Sequence, residues 1–131
     1  MNPADKKPGK FFSLDEIALC RKNFEAKHLD KKSLRKAEYF SREVVEALLK
    51  VEGCDGIRIY YGHAPENENG EIDFSVKGNE QPRLFLVPVQ IGDDGFGRDM
   101  KFKIDTTGEK DGEGEPGGAG GGLPCPNFCT P

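Results

Sequence analysis

The chain has 131 residues, a mass of 14.4 kDa and a formal net charge of −4, which bounds it to one domain of ordinary size. It contains no run of 18 apolar residues, so no transmembrane helix is expected. The acidic balance argues against a polyanion-binding surface, so neither membrane nor nucleic acid is an expected partner.

The charged first ten residues are followed by an amphipathic segment rather than an apolar signal core, and a cytoplasmic location is the expectation. The hydrophobic fraction is low at 35%, and the shortfall is concentrated. Residues 106–131 hold eight of the 17 glycines and four of the nine prolines. Three divisions follow: a flexible arm over 1–12, a globular domain over 13–105, and a Gly/Pro-rich tail over 106–131. Charge is polarised as well. Residues 1–53 carry 12 Lys/Arg against nine Asp/Glu, and residues 54–131 carry seven against 14, which weakly favours head-to-tail contacts between copies. The basic cluster of Lys31, Lys32, Arg35 and Lys36 reads equally well as a solvated helix face.

Ser13-Leu14-Asp15-Glu16 has the form of a capping box. Leu14, Ile17, Phe24 and His28 follow at helical spacing, with Arg21 on the stripe and Cys20 at its border, predicting a helix over 14–27. Asp30 is placed to cap a short second helix reaching Lys36. Ser41 is an N-cap, with Phe40 before it poised to staple onto Val45. Val44, Val45, Leu48 and Leu49 then mark the buried face of a helix over 42–51, with Gly53 as its stop.

The period changes to two at Gly56. Ile57, Ile59 and Tyr61 alternate with polar positions, and Asn69-Gly70 signals a type I′ hairpin. Ile72, Phe74 and Val76 predict the returning strand. A third strand spans Arg83 to Ile91, Asp93-Asp94-Gly95 turns the chain, and Met100, Phe102 and Ile104 predict a fourth. The expected fold is α+β: two or three N-terminal helices packed on one face of a four-stranded antiparallel sheet.

The third strand is apolar on both faces. Leu84 and Leu86 point one way, while Phe85, Val87, Val89 and Ile91 point the other. Helices from so short a chain cover one face. Pro88 suggests an edge or a bulge. The second stripe therefore calls for a cover, either the tail with Leu123 and Phe128 or another subunit. An ordinary central strand with partial burial is the plainer alternative. The tail reads as a permissive glycine tether, Gly117 to Gly122, ending in a stiffened Pro124-Cys125-Pro126-Asn127-Phe128-Cys129 segment suited to docking.

Cys125 and Cys129 stand in a C-x3-C arrangement, which is not the paired C-x2-C signature of zinc. Cys20 reads as a small core residue and Cys54 lies in a turn. A site for zinc or another thiophilic metal would need the tail to fold back on both. Otherwise no cofactor is expected. A Cys125–Cys129 disulfide fits a turn but not a reducing compartment.

Enzyme signatures are weak. Cys54 and His63 lack an orienting partner. Gly95-Phe96-Gly97 lacks the strand-to-helix setting of a phosphate loop. The Glu66–Ile72 run lacks carboxylates at the first and last positions of a calcium loop. Asp93, Asp94 and Asp99 are explained by turn chemistry or weak cation contact. Arg58, Tyr60 and His63 remain a possible polar site on the far face of the sheet.

Leu48-Leu49 through Gly53-Cys54-Asp55-Gly56-Ile57-Arg58-Ile59-Tyr60-Tyr61-Gly62, together with Pro124-Cys125-Pro126 and Cys129, resembles a group of small bacterial proteins. These pair a Gly-Ile-Arg-Ile-Tyr-Tyr-Gly-like strand with a C-terminal Cys-Pro-x-x-Cys-like tail. The interval here holds Pro126, Asn127 and Phe128, a departure from that pattern. The resemblance implies a bacterial, cytoplasmic protein whose strand and tail belong together, and it carries no activity. The expected function is non-enzymatic binding or self-assembly. It would use Phe85, Val87, Val89 and Ile91 with Leu123 and Phe128, in a homo-oligomer or with a protein partner. The alternative is a thiol-based metal-binding or redox protein using Cys125 and Cys129, and a small-molecule enzyme at Arg58, Tyr60 and His63 is a third class.

Overall fold

The computed structural model describes residues 8–28, 35–100 and 117–125. The capping box at Ser13 starts α1 (Leu14–Ala26). The Ser13 Oγ accepts the Glu16 N–H at 3.1 Å, and the Glu16 carboxylate accepts the Ser13 N–H at 3.0 Å. Even so, α1 has no buried residue. Leu14, Ile17 and Phe24 are exposed, and so is Leu19 on another side. Apolar residues spread round the helix, with Arg21 and Lys22 among them, provide no single face to bury. Of the predicted helix from Asp30, residues 30–34 lie outside the described residues, and Arg35 and Lys36 are not helical. Next come β1 (Ala37–Tyr39) and α2 (Arg42–Leu49). The Ser41 Oγ accepts the Val44 N–H at 3.3 Å, and Leu48 is buried while Val44 and Leu49 remain exposed.

Gly53, at φ +87°, turns the chain into β2 (Gly56–Pro65). A Cβ there would lie 2.6 Å from the Gln90 Nε2. β2 pairs antiparallel with β3 (Glu80–Ile91) in an unbroken ladder from Gly56 opposite Val89 to Pro65 opposite Glu80. α2 packs on both strands. β4 (Gly97–Asp99) joins the other side of β3, after a turn in which Asp94 accepts the Phe96 N–H and pairs with Arg98 at 2.6 Å. Hydrogen bonding from Arg98, and then from the Phe96 amide, holds the Asp94 carboxyl down at about 2. Its stabilising pairing is therefore present above the ordinary carboxylate range and is lost only as pH falls through that value. Last, β5 (Leu123–Cys125) pairs with β1.

The architecture is α+β, with two helices and two antiparallel sheets of two and three strands among the described residues. The expected single sheet of four strands with a layer of helices is thereby corrected. Between Ile72 and Val76 there is no strand: Ile72 alone bridges, to Glu66. Asp73 captures the Ser75 amide and hydroxyl on its own carboxylate, a local competitor that turns the chain away. The hairpin is not type I′ either. Of Asn69 and Gly70, only Gly70 has positive φ, and the Asn67 Oδ1 accepts the Asn69 and Glu71 amides at 2.9 and 3.1 Å. β4 ends at Asp99 with Met100 just beyond it, and Phe102 and Ile104 lie outside the described residues. No helix among the described residues is long and apolar enough to cross a membrane. The core is small: Leu48, Ala64, Leu86 and Val89, with Pro88 and Pro124 fully enclosed.

Candidate functional site

A sheet edge is a row of backbone donors and acceptors that must go somewhere. Even-numbered residues of β3 turn theirs away from β2, and each from Leu84 to Gln90, with Gly92 just beyond the strand, makes at least one bond there. The Leu84 N–H donates to the Glu38 carboxylate at 3.1 Å. Leu86 exchanges both bonds with Ala119 of the tail, at 2.8 and 2.7 Å. Pro88 has no N–H to satisfy, and its carbonyl accepts from Met100 at 2.9 Å. Gln90 pairs with Arg98, and Gly92 donates to Phe96 at 2.9 Å.

The tail glycines take part in this closure by having no side chain. A Cβ at Gly118 would lie 2.2 Å from the Leu86 carbonyl oxygen, and one at Gly120 would lie 2.7 Å from the Phe85 ring. At Gly122 it would lie 2.8 Å from the Tyr39 carbonyl oxygen. Every second residue of the run is pressed against protein. Alternation at the strand period was the available signal, and reading the run as a tether misses it. Phe85 and Val87 are half-buried in this contact, Val89 is buried, and Ile91 stays exposed. Leu123 is also exposed, and Phe128 lies outside the described residues.

Met100 opposes Pro88, and Ala119 opposes Leu86 two residues further along β3. Deleting 101–117 would splice Met100 to Gly118 in register. Shortening the closure should add roughly 1–2 kcal/mol of stability, at about 0.6 kcal/mol per halving of loop length. The expected result is an unchanged or higher urea midpoint with the Leu86 amide still protected from exchange. Loss of cooperative unfolding would refute it.

Beside the tail lies a buried charge cluster that the sequence reading did not identify. The Arg83 guanidinium donates from Nε to Glu38 at 2.6 Å and from Nη1 to Glu66 at 2.9 Å. It also donates to the carbonyls of Gly70 at 3.3 Å and Gly122 at 2.7 Å. Arg35 completes the set on Glu66 at 2.6 Å. The side chains of Arg83, Glu38 and Glu66 are 1%, 2% and 3% exposed. Two cations and two anions balance, although the Arg35 Nη1 and the Glu38 Oε2 are buried without a hydrogen-bond partner among the described residues. A cleft of about 250 Å³ lined by Ile72, Arg83, Gly122 and Pro124 opens here. Arg83 spends its donors on protein acceptors, so the cluster fastens β1, the hairpin loop and the tail to β3 rather than presenting charge to a ligand. The sequence signal was a lone arginine on the stripe of Phe85 and Val87, with no indication of which carboxylates would meet it.

β2 is the other edge, and it is different in kind. Its even residues bond to β3, so Ile57, Ile59, Tyr61 and His63 direct their backbone groups outward. Among the described residues no strand pairs with them. Closure begins only at Pro65, whose carbonyl accepts the Asp73 N–H at 2.9 Å. Ile59 is 56% exposed and Tyr61 91%. On the face shared with Phe85 and Val87, Arg58 pairs with Asp99 at 2.6 Å and donates to the Gly97 carbonyl at 3.1 Å, and the Tyr60 hydroxyl donates to Asp99. Tyr60 foremost, with Asp99, holds the Arg58 guanidinium above its ordinary range. His63 falls on the opposite face by strand alternation, so Arg58, Tyr60 and His63 do not converge.

The cysteines are dispersed through the elements. Cys20 is exposed, in a groove on α1 with Phe12, Ile17 and Phe24. The Cys54 thiol is half-buried and donates to the Gly56 carbonyl at 3.2 Å. Cys125 sits in β5 opposite Ala37, and Cys129 lies outside the described residues. Among the described residues no three His, Cys, Asp or Glu side chains are grouped to hold a metal. No protein-family model, curated protein or solved structure matches the chain.

Proposed function

We propose that the protein is a non-enzymatic binding module that works by strand addition at the outer edge of β2. One observation carries this reading: among the described residues the outer side of β2 is left unpaired, whereas the side of β3 away from β2 is covered. The β3 side is closed by Glu38, Pro88, β4 and the tail. The β2 side runs from Ile57 to His63 without a proline, a lysine or a bulge, the features that ordinarily protect such an edge. An incoming strand gains backbone hydrogen bonds there, and the exposed Ile59 and Tyr61 supply side-chain contacts. In this reading the tail is a structural part of the module. It covers the far side of β3 and leaves β2 as the long unpaired edge among the described residues.

Amide hydrogen exchange on dilute, monomeric protein tests it. The amides of Ile57, Ile59, Tyr61 and His63 are expected to exchange on the order of 100-fold faster than those of Arg58, Tyr60 and Gly62, whose bonds to β3 must open first. Uniform protection along β2 in the monomer would sink the proposal. Serine at both Cys125 and Cys129 should leave the pattern intact, which separates strand addition from thiol chemistry.

A further inference from the structure

We infer that the strand recruited at this edge is β2 of a second copy, paired antiparallel about a two-fold axis at Ile59. The inference rests on the open-edge reading and names its partner. An antiparallel pairing of a strand with itself is closed and isologous, so each outward group meets its own counterpart. Three registers bring the exposed middle of β2 to the axis, and charge and backbone chemistry separate them.

An axis at Tyr60 sets Asp55 of the second copy against Pro65 and His63 against Ile57, so neither polar side chain meets a polar partner across the seam. An axis at Arg58 sets His63 against Gly53, which at φ +87° lies in the turn before β2 and extends no ladder. An axis at Ile59 avoids both. It pairs Ile59 with itself and Ile57 with Tyr61, the aromatic and β-branched cross-strand combination that stabilises sheets. It sets Arg58 against the Tyr60 ring and brings His63 level with exposed Asp55, whose N–H is bonded to Val89 and whose Oδ2 accepts the Ile91 N–H, so this end pair meets through side chains alone. The edge is otherwise neutral, since Arg58 is neutralised by Asp99 in its own copy. A charged peptide finds no complement here, and the strand's own copy does. The three-stranded sheet becomes a continuous sheet of six. A contact one strand wide falls at the small end of specific interfaces, under about 1,200 Å², so the dimer should form at micromolar to millimolar concentration.

Sedimentation equilibrium on the full chain across that range is the test. The mass should rise from 14.4 kDa toward twice that value. Ile59→Pro removes an outward N–H at the axis while leaving the bonds from Arg58 and Tyr60 to β3 in place. Ile59→Lys puts a charge there without altering the backbone. Each should raise the dissociation constant at least 10-fold with an unchanged far-ultraviolet circular dichroism spectrum. His63→Asp should weaken the dimer about threefold or more, and His63→Lys should not. A chain that stays at 14.4 kDa at millimolar concentration overturns the inference, as does a dimer indifferent to Ile59→Lys. A dimer indifferent to His63→Asp overturns the register. If the monomer does not dimerise but its odd-numbered β2 amides exchange fast, the second copy is refuted and the open edge stands. If those amides are protected in the monomer, both fall.

Discussion

Arg83→Ala is expected to be the most damaging single substitution in the protein, lowering stability by about 3–5 kcal/mol. Small domains have roughly 5–15 kcal/mol in all, and the buried apolar core here is confined to a few side chains. The loss comes less from the bonds removed than from what stays behind. Glu38 and Glu66, nearly inaccessible to water, would lose the cation they share, with only Arg35 left to offset them. The Gly122 carbonyl would also lose its donor, which releases the tail. Arg83→Lys keeps the charge but not the planar fork that reaches Glu38, Glu66 and Gly122 together, so an intermediate loss is expected. Neutralising one carboxylate at the same time separates the causes. Arg83→Met combined with Glu38→Gln should recover much of the stability, because Arg35 and Glu66 still pair and no charge is left uncompensated. Urea unfolding followed by circular dichroism measures all three. An Arg83→Ala midpoint within error of the parent would show that the cluster contributes nothing net.

Gly118→Ala and Gly122→Ala should each displace the tail, at a cost of about 1–3 kcal/mol typical of forced overpacking. The obstacle at both sites is a backbone carbonyl, of Leu86 and of Tyr39, which cannot rotate aside. At Gly120 it is the Phe85 ring, which can turn, so Gly120→Ala should cost less. Gly121→Ala meets no neighbour, but its φ of +71° carries a backbone penalty of about 1 kcal/mol. The resulting order, with Gly118 and Gly122 worst, is one that a flexible tether could not produce. The Leu86 amide reports directly, since its acceptor is Ala119: its exchange should accelerate in the two worst variants while the Leu84 amide, held by Glu38, stays protected. Truncation of 117–131 should do the same and raise apolar dye binding through Phe85 and Val87. Equal tolerance of alanine at all four positions would show that the tail is not pressed against the sheet.

Some of this fold is legible residue by residue because the cause is local. Ser13 with Glu16, and Ser41 ahead of Val44, announce their helices through bonds spanning three residues. Alternation marks Ile57 to Tyr61 and Leu84 to Ile91 as strands, since period two belongs to the pleat itself. Patterns of the same strength mislead where a nearby side chain competes for the backbone. The alternation from Ile72 to Val76 yields to the Asp73 carboxylate, and Asn69-Gly70 yields to Asn67. The apolar residues of α1 read as a buried stripe, yet no other element among the described residues covers them.

Composition and periodicity by themselves establish an α+β domain, its capped helices, its two long strands and a glycine-rich end, because each is written in neighbouring residues. Which edge of the sheet is closed, which carboxylates meet Arg83, and that alternate glycines are contacts rather than slack depend on residues tens of positions apart. Those pairings arise from burial and backbone hydrogen bonding across space. A linear pattern records what each segment can offer, and only the assembled chain decides what receives it.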